Sequence, residues 1–296
     1  MMRIIHSLDE MTETARGWLS GGPVGFIPTS GRLHSGHLSL VRAAQRECEM
    51  TVVSIFADHN TFHPLRQNTG LIYDLSRDIQ LLEATQTDVV FIPRPEEIYP
   101  PTFSTYVMTS GPLVERLECS LSPGLARATA TIFIKLLQLI RPDITYFGQK
   151  SAQQVALFRC LIHDLSIDTS LRVLPTVREG DGLALSCDNT FLSPVQRQAV
   201  SLLYRALLSA KAQIEHGQRQ VAFLEQTMVQ VISSSSLLRL DYAAICDPST
   251  FMELDVLPEL TPTLSSPGFL LAVAAYADTI RLKDNIQFTS NGYWLI

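Results

Sequence analysis

The stretch Gly25-Phe26-Ile27-Pro28-Thr29-Ser30-Gly31-Arg32-Leu33-His34-Ser35-Gly36-His37 joins a short apolar strand to a glycine-rich turn that carries two histidines at i and i+3. A helix starting near Leu33 sets His34 and His37 on one face of its first turn. Gly36 lets a ligand approach the backbone closely, and the amide N–H groups of that turn, with the helix dipole, attract phosphate. The pattern alone is weak, since two histidines at a helix start also serve as a cap and a surface residue. Its position strengthens it. The turn follows an apolar strand and precedes the amphipathic run Leu38, Leu40, Val41 and Ala44, which is where a doubly wound sheet places its nucleotide site. A metal centre is the poorer reading, because no cysteine or carboxylate cluster stands at ligand spacing around the pair.

On either side of this turn the chain alternates between strand and helix patterns. Arg3-Ile5 reads as a strand, Asp9 to Leu19 as a helix broken by Gly21-Gly22-Pro23, and Val24-Ile27 as the strand that enters the histidine turn. Thr51-Phe56 is β-branched and almost continuously apolar, as a central strand of a parallel sheet would be. Asp74 to Ala84 reads as a helix and Asp88-Pro93 as a strand. Ala130 to Ile140, Ile144-Phe147, Ala152 to Leu165 and Leu171-Leu174 continue the alternation. The fold class is therefore α/β: a Rossmann-like, doubly wound, mostly parallel sheet. Beyond Pro175-Thr176-Val177 the pattern changes to a helical region from Pro194 to His216, a helix to Ile232, and strands near Leu240-Cys246 and Phe269-Tyr276. This predicts two domains, 1–176 for nucleotide binding and 177–296 as a smaller α+β domain.

The chain has 296 residues and 46% hydrophobic content, enough for a sizeable core. A net charge of −6 and a pI near 5.6 argue against a general nucleic-acid binder, which needs a basic face. Cys48, Cys119, Cys160, Cys187 and Cys246 are scattered, odd in number and without CxxC spacing, so neither a disulfide framework nor a zinc site is indicated. With no signal-type segment and no apolar run of the ~20 residues a membrane span requires, a soluble cytoplasmic protein without a membrane partner is expected.

Further residues bring a resemblance into view. Pro28-Thr29, Leu33-His34 and Gly36-His37 are followed by Val53-Ser54-Ile55-Phe56, Asp88-Val89-Val90-Phe91, Ile98-Tyr99-Pro100-Pro101, and Tyr146-Phe147-Gly148 with Lys150. Ala152-Gln153-Gln154, Pro175-Thr176-Val177-Arg178-Glu179, Asp181 to Ser186, and Asn189 with Leu192-Ser193-Pro194 complete the series. In this order and over nearly the whole length, the chain resembles the pantothenate synthetase family, the pantoate:β-alanine ligases of the HxGH nucleotidyltransferase superfamily. The resemblance implies a C-terminal lid domain, a homodimer, and a two-step reaction. A small carboxylic acid attacks the α-phosphate of Mg2+-bound ATP to give an acyl adenylate and pyrophosphate, and a small amine then displaces AMP to form an amide.

Roles follow from that resemblance. His34, His37 and Lys150 are its catalytic set, with Lys150 neutralising charge on the phosphoryl oxygens as pyrophosphate departs. Pro28, Thr29, Ser30, Gly36, Gly148, Ser151, Val177, Ser186, Cys187 and Asp188 fall on the ATP side. Asp58, Thr61, Arg127 and Gln154 fall on the side of the acid and amine. Lys150 as a solvated loop residue, Gln154 as an exposed helical residue, Ser186 as a turn former and Arg127 as an ordinary loop arginine are the plain alternatives. His59, His63, His163 and His216 read as surface or capping residues.

The resemblance breaks at ligand-facing positions. The methionine of the family's turn is Ser30, an asparagine is Asp58, the acid-binding glutamine is Thr61, and a ribose-binding aspartate is Ser151. An arginine that faces the triphosphate is Asp188, so that a carboxylate repels phosphate by ~1 kcal/mol at ~4 Å in water and by more when partly buried. Asp188 must turn away, bind Mg2+ or a cationic substrate, or impair ATP use. Together the changes leave open an altered acid and amine pair, nucleotidyl transfer alone, or a catalytically weak binding subunit.

Overall fold

The computed structural model describes residues 2–18, 21–56, 74–121, 123–260 and 268–296. Contacts divide the chain into two compact units, Met1–Gly148 with Leu157–Leu174, and Gln149–Ala156 with Pro175–Ile296. The sequence reading assigns all of 1–176 to one domain, whereas the contacts group Gln149–Ala156 with the C-terminal residues.

The first unit contains β1 (Arg3–Ile5), α1 (Leu8–Arg16), β2 (Val24–Thr29), α2 (Ser35–Glu47), β3 (Met50–Ile55), α3 (Leu75–Ala84) and β4 (Val89–Phe91). Three single-turn helices follow, α4 (Pro95–Ile98), α5 (Pro112–Glu115) and α6 (Leu117–Ser120), and then α7 (Pro123–Ile140), β5 (Ile144–Gly148), α8 (Ala152–Asp164), whose residues from Leu157 on belong to this unit, and β6 (Ser170–Leu174). All strand pairs of the six-stranded sheet are parallel, in the order β1-β4-β3-β2-β5-β6. The chain thus winds outward from β2 in one direction and from β5 in the other, which makes the C-terminal ends of these two strands the switch point where such sheets bind ligands.

Local chemistry fixes these elements. Ser7 caps α1 by accepting from the Glu10 N–H, and Asp74 caps α3 by accepting from the Arg77 N–H. The Asp88 carboxylate accepts from both the N–H and the hydroxyl of Thr51, at 2.8 and 2.7 Å, and so anchors β3 beside β4. Val52, Val53 and Ile55 of β3 are buried, as expected of a strand covered on both faces. Helix α7 begins at Pro123 rather than Ala130; its first turns carry Arg127 and Thr129, which weaken the apolar pattern there. On this helix Phe133 stacks on Phe158 at 3.8 Å, with Phe147 of β5 against both rings.

In the second unit the helical region from Pro194 splits into α9 (Pro194–Ala199) and α10 (Leu202–Glu215), followed by α11 (Val221–Ser233). The junction is tightened by i→i−3 bonds from Ser201 N–H to Gln198 O and from Leu203 N–H to Val200 O. It contains neither glycine nor proline, and buried Val200, Leu203, Leu207 and Ile214 continue the apolar period through it, so the sequence carries no mark of the break. An antiparallel sheet in the order β10-β9-β8-β7 completes the unit, from β7 (Arg239–Cys246), β8 (Gly268–Ala277), β9 (Ile280–Thr289) and β10 (Trp294–Leu295). The last two strands are additions to the sequence reading. Leu282, Ile286 and Phe288 of β9 join the core formed by α10, α11 and β8.

Asp284 lies in the same buried row of β9 and is matched by Arg178, whose guanidinium reaches its carboxylate at 2.6 and 3.0 Å and stacks on the Tyr204 ring at 3.9 Å. The same guanidinium donates to Gly182 O at 3.0 Å. Gly182 sits at φ +91°, and a Cβ there would collide with the Tyr204 ring. Gly182→Ala is therefore expected to lower the unfolding free energy by about 2–4 kcal/mol, read from urea denaturation. An unchanged midpoint would refute the fixed packing of Tyr204 against this turn.

Candidate functional site

The turn after β2 is built on a buried carboxylate. Gly31 and Arg32 both take positive φ, +81° and +53°, and the second is a strained conformation for a non-glycine residue. Asp78 of α3 has no exposed surface, and its two oxygens accept from the N–H groups of Arg32 at 2.7 Å and Leu33 at 2.8 Å. Thr29 closes the other side: its hydroxyl donates to Ser54 O at 2.7 Å and accepts from Gly31 N–H. Leu33 then enters the core, and the chain is delivered into α2 in one orientation.

Helix α2 begins at Ser35, two residues after the start read from the sequence, and His34 is its N-cap. Nδ1 of His34 accepts from Gly36 N–H at 3.2 Å, and Nδ1 of His37 accepts from His34 N–H at 3.3 Å. These are the two halves of a capping box made from imidazoles. The rings lie 4.1 Å apart, tilted by 42°. Because both Nδ1 atoms are acceptors, each neutral ring carries its proton on Nε2. The cap reading holds, and it fixes the tautomer: the proton of each neutral ring stands on Nε2, on the side away from the backbone bond.

Pro28, Thr29, Ser30 and Gly36 accompany this pair, with Ser30 exposed. At the end of β5, a Cβ added to Gly148 would meet no atom within 4 Å, so this strand end has open space beside its backbone. Arg127 lies on the exposed face of α7, not in a loop, with its guanidinium 4.8 Å from the Tyr106 ring centroid. Asp58 and Thr61, with His59 and His63, lie outside the described residues. His163 pairs with Asp164, and His216 ends α10 with its ring against Ala212 O, both exposed.

In the second unit Lys150 sits in a single 3-10 turn, Gln149–Ser151, that β9 holds from below. Buried Gln149 donates to the side-chain oxygens of Asn285 at 3.0 Å and Gln287 at 3.2 Å, and Asn285 donates back to Lys150 O at 3.1 Å. Burial lowers the Lys150 ammonium to about 8, reinforced by the charge of Lys283 and opposed by Asp188, Asp284 and Cys187. Burial also pushes the Asp284 carboxyl up, against the pull of Arg178. Ser186 caps the 3-10 turn Cys187–Phe191: its hydroxyl accepts from Asp188 N–H and donates to the Asp188 carboxylate at 3.2 Å. The Asp188 carboxylate is held within its own turn and is close enough for its charge to act on Lys150. Val177 accepts from Leu185 N–H at the mouth of the hairpin that leads to this turn. Gln154 is exposed on α8 while Gln153 is buried, and Ser151 is half-buried.

The structure thus gathers Thr29, Ser30, His34, Gly36 and His37 in one unit and Lys150, Cys187 and Asp188 in the other. Asp78 and Asn285 escape the sequence reading. One is a helix carboxylate and the other a strand amide, and only their distant backbone partners reveal their work. Among the described residues, no group of three His, Cys, Asp or Glu side chains could hold a metal ion.

The sequence pattern of the pantoate-beta-alanine ligase family matches residues 3–287. Pantothenate synthetase of Chloroflexus aurantiacus is 40% identical over 291 residues, covering 98% of this chain and all of the relative. That of Thermosipho africanus is 38% identical, covering 96% of this chain and 99% of the relative. The crystal structure of pantothenate synthetase from Thermus thermophilus matches with a TM-score of 0.86 at 36% identity, over 96% of this chain and 98% of that one. Pantoate-beta-alanine ligase from Francisella tularensis, complexed with beta-gamma ATP and beta-alanine, matches with a TM-score of 0.74 at 26% identity, over 98% of each chain.

The clamp of Asp78 on the histidine turn is open to test. In Asp78→Asn one backbone N–H meets an amide donor instead of an oxygen, costing about 1–3 kcal/mol of stability and lowering kcat more than it raises KM. Arg32→Gly in the same background relieves the positive φ and should restore part of kcat. Full activity in Asp78→Asn, or no gain from glycine, would sink the clamp.

Proposed function

Because the chain belongs to the pantoate-beta-alanine ligase family, we propose that it condenses pantoate, or a closely related small acid, with β-alanine or a related amine in an ATP-dependent, AMP-forming reaction. A carboxylate is inert to amines because its leaving group would be oxide. Transfer of the adenylyl group to the acid, with loss of pyrophosphate, replaces oxide by AMP, and the amine then closes the amide.

The observation that carries this reading is the imidazole capping box of His34 and His37, which holds two Nε2–H donors at the N-terminus of α2. Donors fixed before the ligand arrives stabilise charge that develops on phosphoryl oxygens without reorganising in the transition state. Lys150 supplies the cation for the departing pyrophosphate, and its depressed pKa returns toward the ordinary lysine value when an anion binds. Gly36 and Gly148 give backbone room to the nucleotide, with Pro28, Thr29, Ser30, Ser151, Val177, Ser186 and Cys187 along it. Mg2+ would be held by the phosphate oxygens. Gln154, Arg127, Asp58 and Thr61 are assigned to the acid and amine. The reading includes a nucleotide-binding domain to residue 176, a smaller domain beyond it, and a cytoplasmic homodimer with no nucleic-acid or membrane partner. No helix among the described residues is long and apolar enough to cross a membrane.

The deciding experiment is product mass spectrometry coupled to pyrophosphate release, with Mg-ATP, pantoate and β-alanine and then other small acids and amines. Pantothenate with AMP is the expected result. Pyrophosphate release with another acid alone would mean a changed substrate, and an adenylate that no amine consumes would replace the ligase by a nucleotidyltransferase.

The charge state of Lys150 gives a pH signature. Its cation is present below its pKa and lost above it, so kcat/KM for Mg-ATP should fall as pH rises through about 8. His37→Ala and Lys150→Met should each cost about 100-fold or more in pyrophosphate release while the unfolding midpoint holds. An alkaline limb that persists in a residually active Lys150→Met enzyme would remove Lys150 from this role.

A further inference from the structure

One basic side chain near Lys150 has no part in the reading above. Along β9 the side chains alternate: Leu282, Asp284, Ile286 and Phe288 point to the buried side, and Arg281, Lys283, Asn285 and Gln287 share the other face. On that face Arg281 pairs with Asp241 of β7 at 2.7 Å. Asn285 and Gln287 accept from Gln149, and Asn285 holds Lys150 O. The turn that bears Lys150 therefore lies over this face. Lys283 stands two residues along the strand from the amide that grips it, about 7 Å away at strand rise. The turn Cys187–Phe191, which bears Asp188, also packs against β9.

We propose that Lys283 forms with Lys150 a paired cationic clamp for the polyphosphate of the nucleotide, supplying the positive charge that Asp188 cancels. This rests on the ATP-dependent reading above. The groups that act on Lys150 are Lys283, Asp188, Asp284 and Cys187, and Asp284 is already matched by Arg178. Lys150 facing Asp188 alone would present no net charge to a phosphate, whereas with Lys283 the cluster is left positive. Two ammonium groups in each other's field repel, and the charge of Lys283 adds to burial in lowering the Lys150 pKa. A bound polyanion turns that repulsion into attraction, so the cost carried by the free protein is recovered on binding. Lys283 and Lys150 are each half-buried, a setting in which such interactions are screened less than at an open surface.

The test compares the parent chain with Lys283→Gln, Lys283→Arg and Lys150→Met. Mg-ATP affinity is read by calorimetry, and pyrophosphate release is followed from about pH 6 to about pH 10, spanning the lysine range. Lys283→Gln should weaken Mg-ATP binding by about 10-fold or more, as expected for loss of a charge-assisted contact, with Lys283→Arg recovering most of it. Removing the like charge should also move the alkaline limb of kcat/KM upward by about half a pH unit, which a purely structural lysine would not do. Unchanged affinity, or a stationary limb, in Lys283→Gln would overturn the proposal while leaving the nucleotide reading intact. A parent that binds Mg-ATP no better than Lys150→Met would defeat the nucleotide reading itself, and the clamp with it.

Discussion

A carboxylate taken out of water has to be met by donors, and this requirement shapes both units of the protein. In the first unit, Asp78 is met by the backbone N–H groups of Arg32 and Leu33. The chain can supply those donors only by passing through consecutive residues at positive φ, Gly31 and Arg32. In the second unit, Asp284 is met by the fork of Arg178 and by Asn285 N–H. Arg178 is thereby fixed over Tyr204, leaving a place at Gly182 that only glycine fits. Removing either partner of the Arg178–Asp284 ion pair leaves an unmatched buried charge, typically worth about 3–5 kcal/mol. Each aspartate therefore determines the path of a loop, and each loop leads to chemistry: one to His34 and the other to Ser186 and Asp188.

The histidine pair shows how local folding rules can set a tautomer. A helix start needs acceptors for its first N–H groups, and serine or aspartate usually provides them. Imidazoles serve instead here, so the satisfied cap and the tautomer are the same event. The backbone N–H groups that each ring accepts are what hold it in place. The arrangement also explains the i, i+3 spacing, which is that of a capping box. Gly36 gives the first cap N–H, to Nδ1 of His34.

Much of this was legible in the sequence. Strands β1 to β6 follow from β-branched apolar runs at βαβ spacing, and the histidine turn marks itself by its glycines. What was not legible had physical causes. Strand β9 carries Asp284 in its buried row and Lys283, Asn285 and Gln287 on the other, so its alternation is chemically masked. The break between α9 and α10 leaves the apolar period intact and uses no breaker residue. Asp78 looks like any helix carboxylate until its partners, more than forty positions earlier in the chain, are placed beside it. Of the candidate site, the residues proposed to meet ligand could be named from their pattern. The residues that hold them in place could not, because backbone partners leave no pattern of their own.

The substitutions at ligand-facing positions gain meaning from the same electrostatics. Read alone, Asp188 opposes a nucleotide, since it adds a carboxylate where phosphate must be held. In the structure its charge acts on Lys150 against the effect of Lys283, and its carboxylate is oriented by the Ser186 hydroxyl within its own capped turn. A lysine whose ammonium is weakened by burial and by a second lysine would deprotonate too readily near neutral pH without a nearby anion. Asp188 is that anion in the free protein. When phosphate takes over this function, the lysine pair gains more than the carboxylate costs, because phosphate carries the greater charge. On the nucleotide reading proposed above, the altered residue would keep the cationic site charged until ligand arrives, a role available only where a second cation stands beside the first.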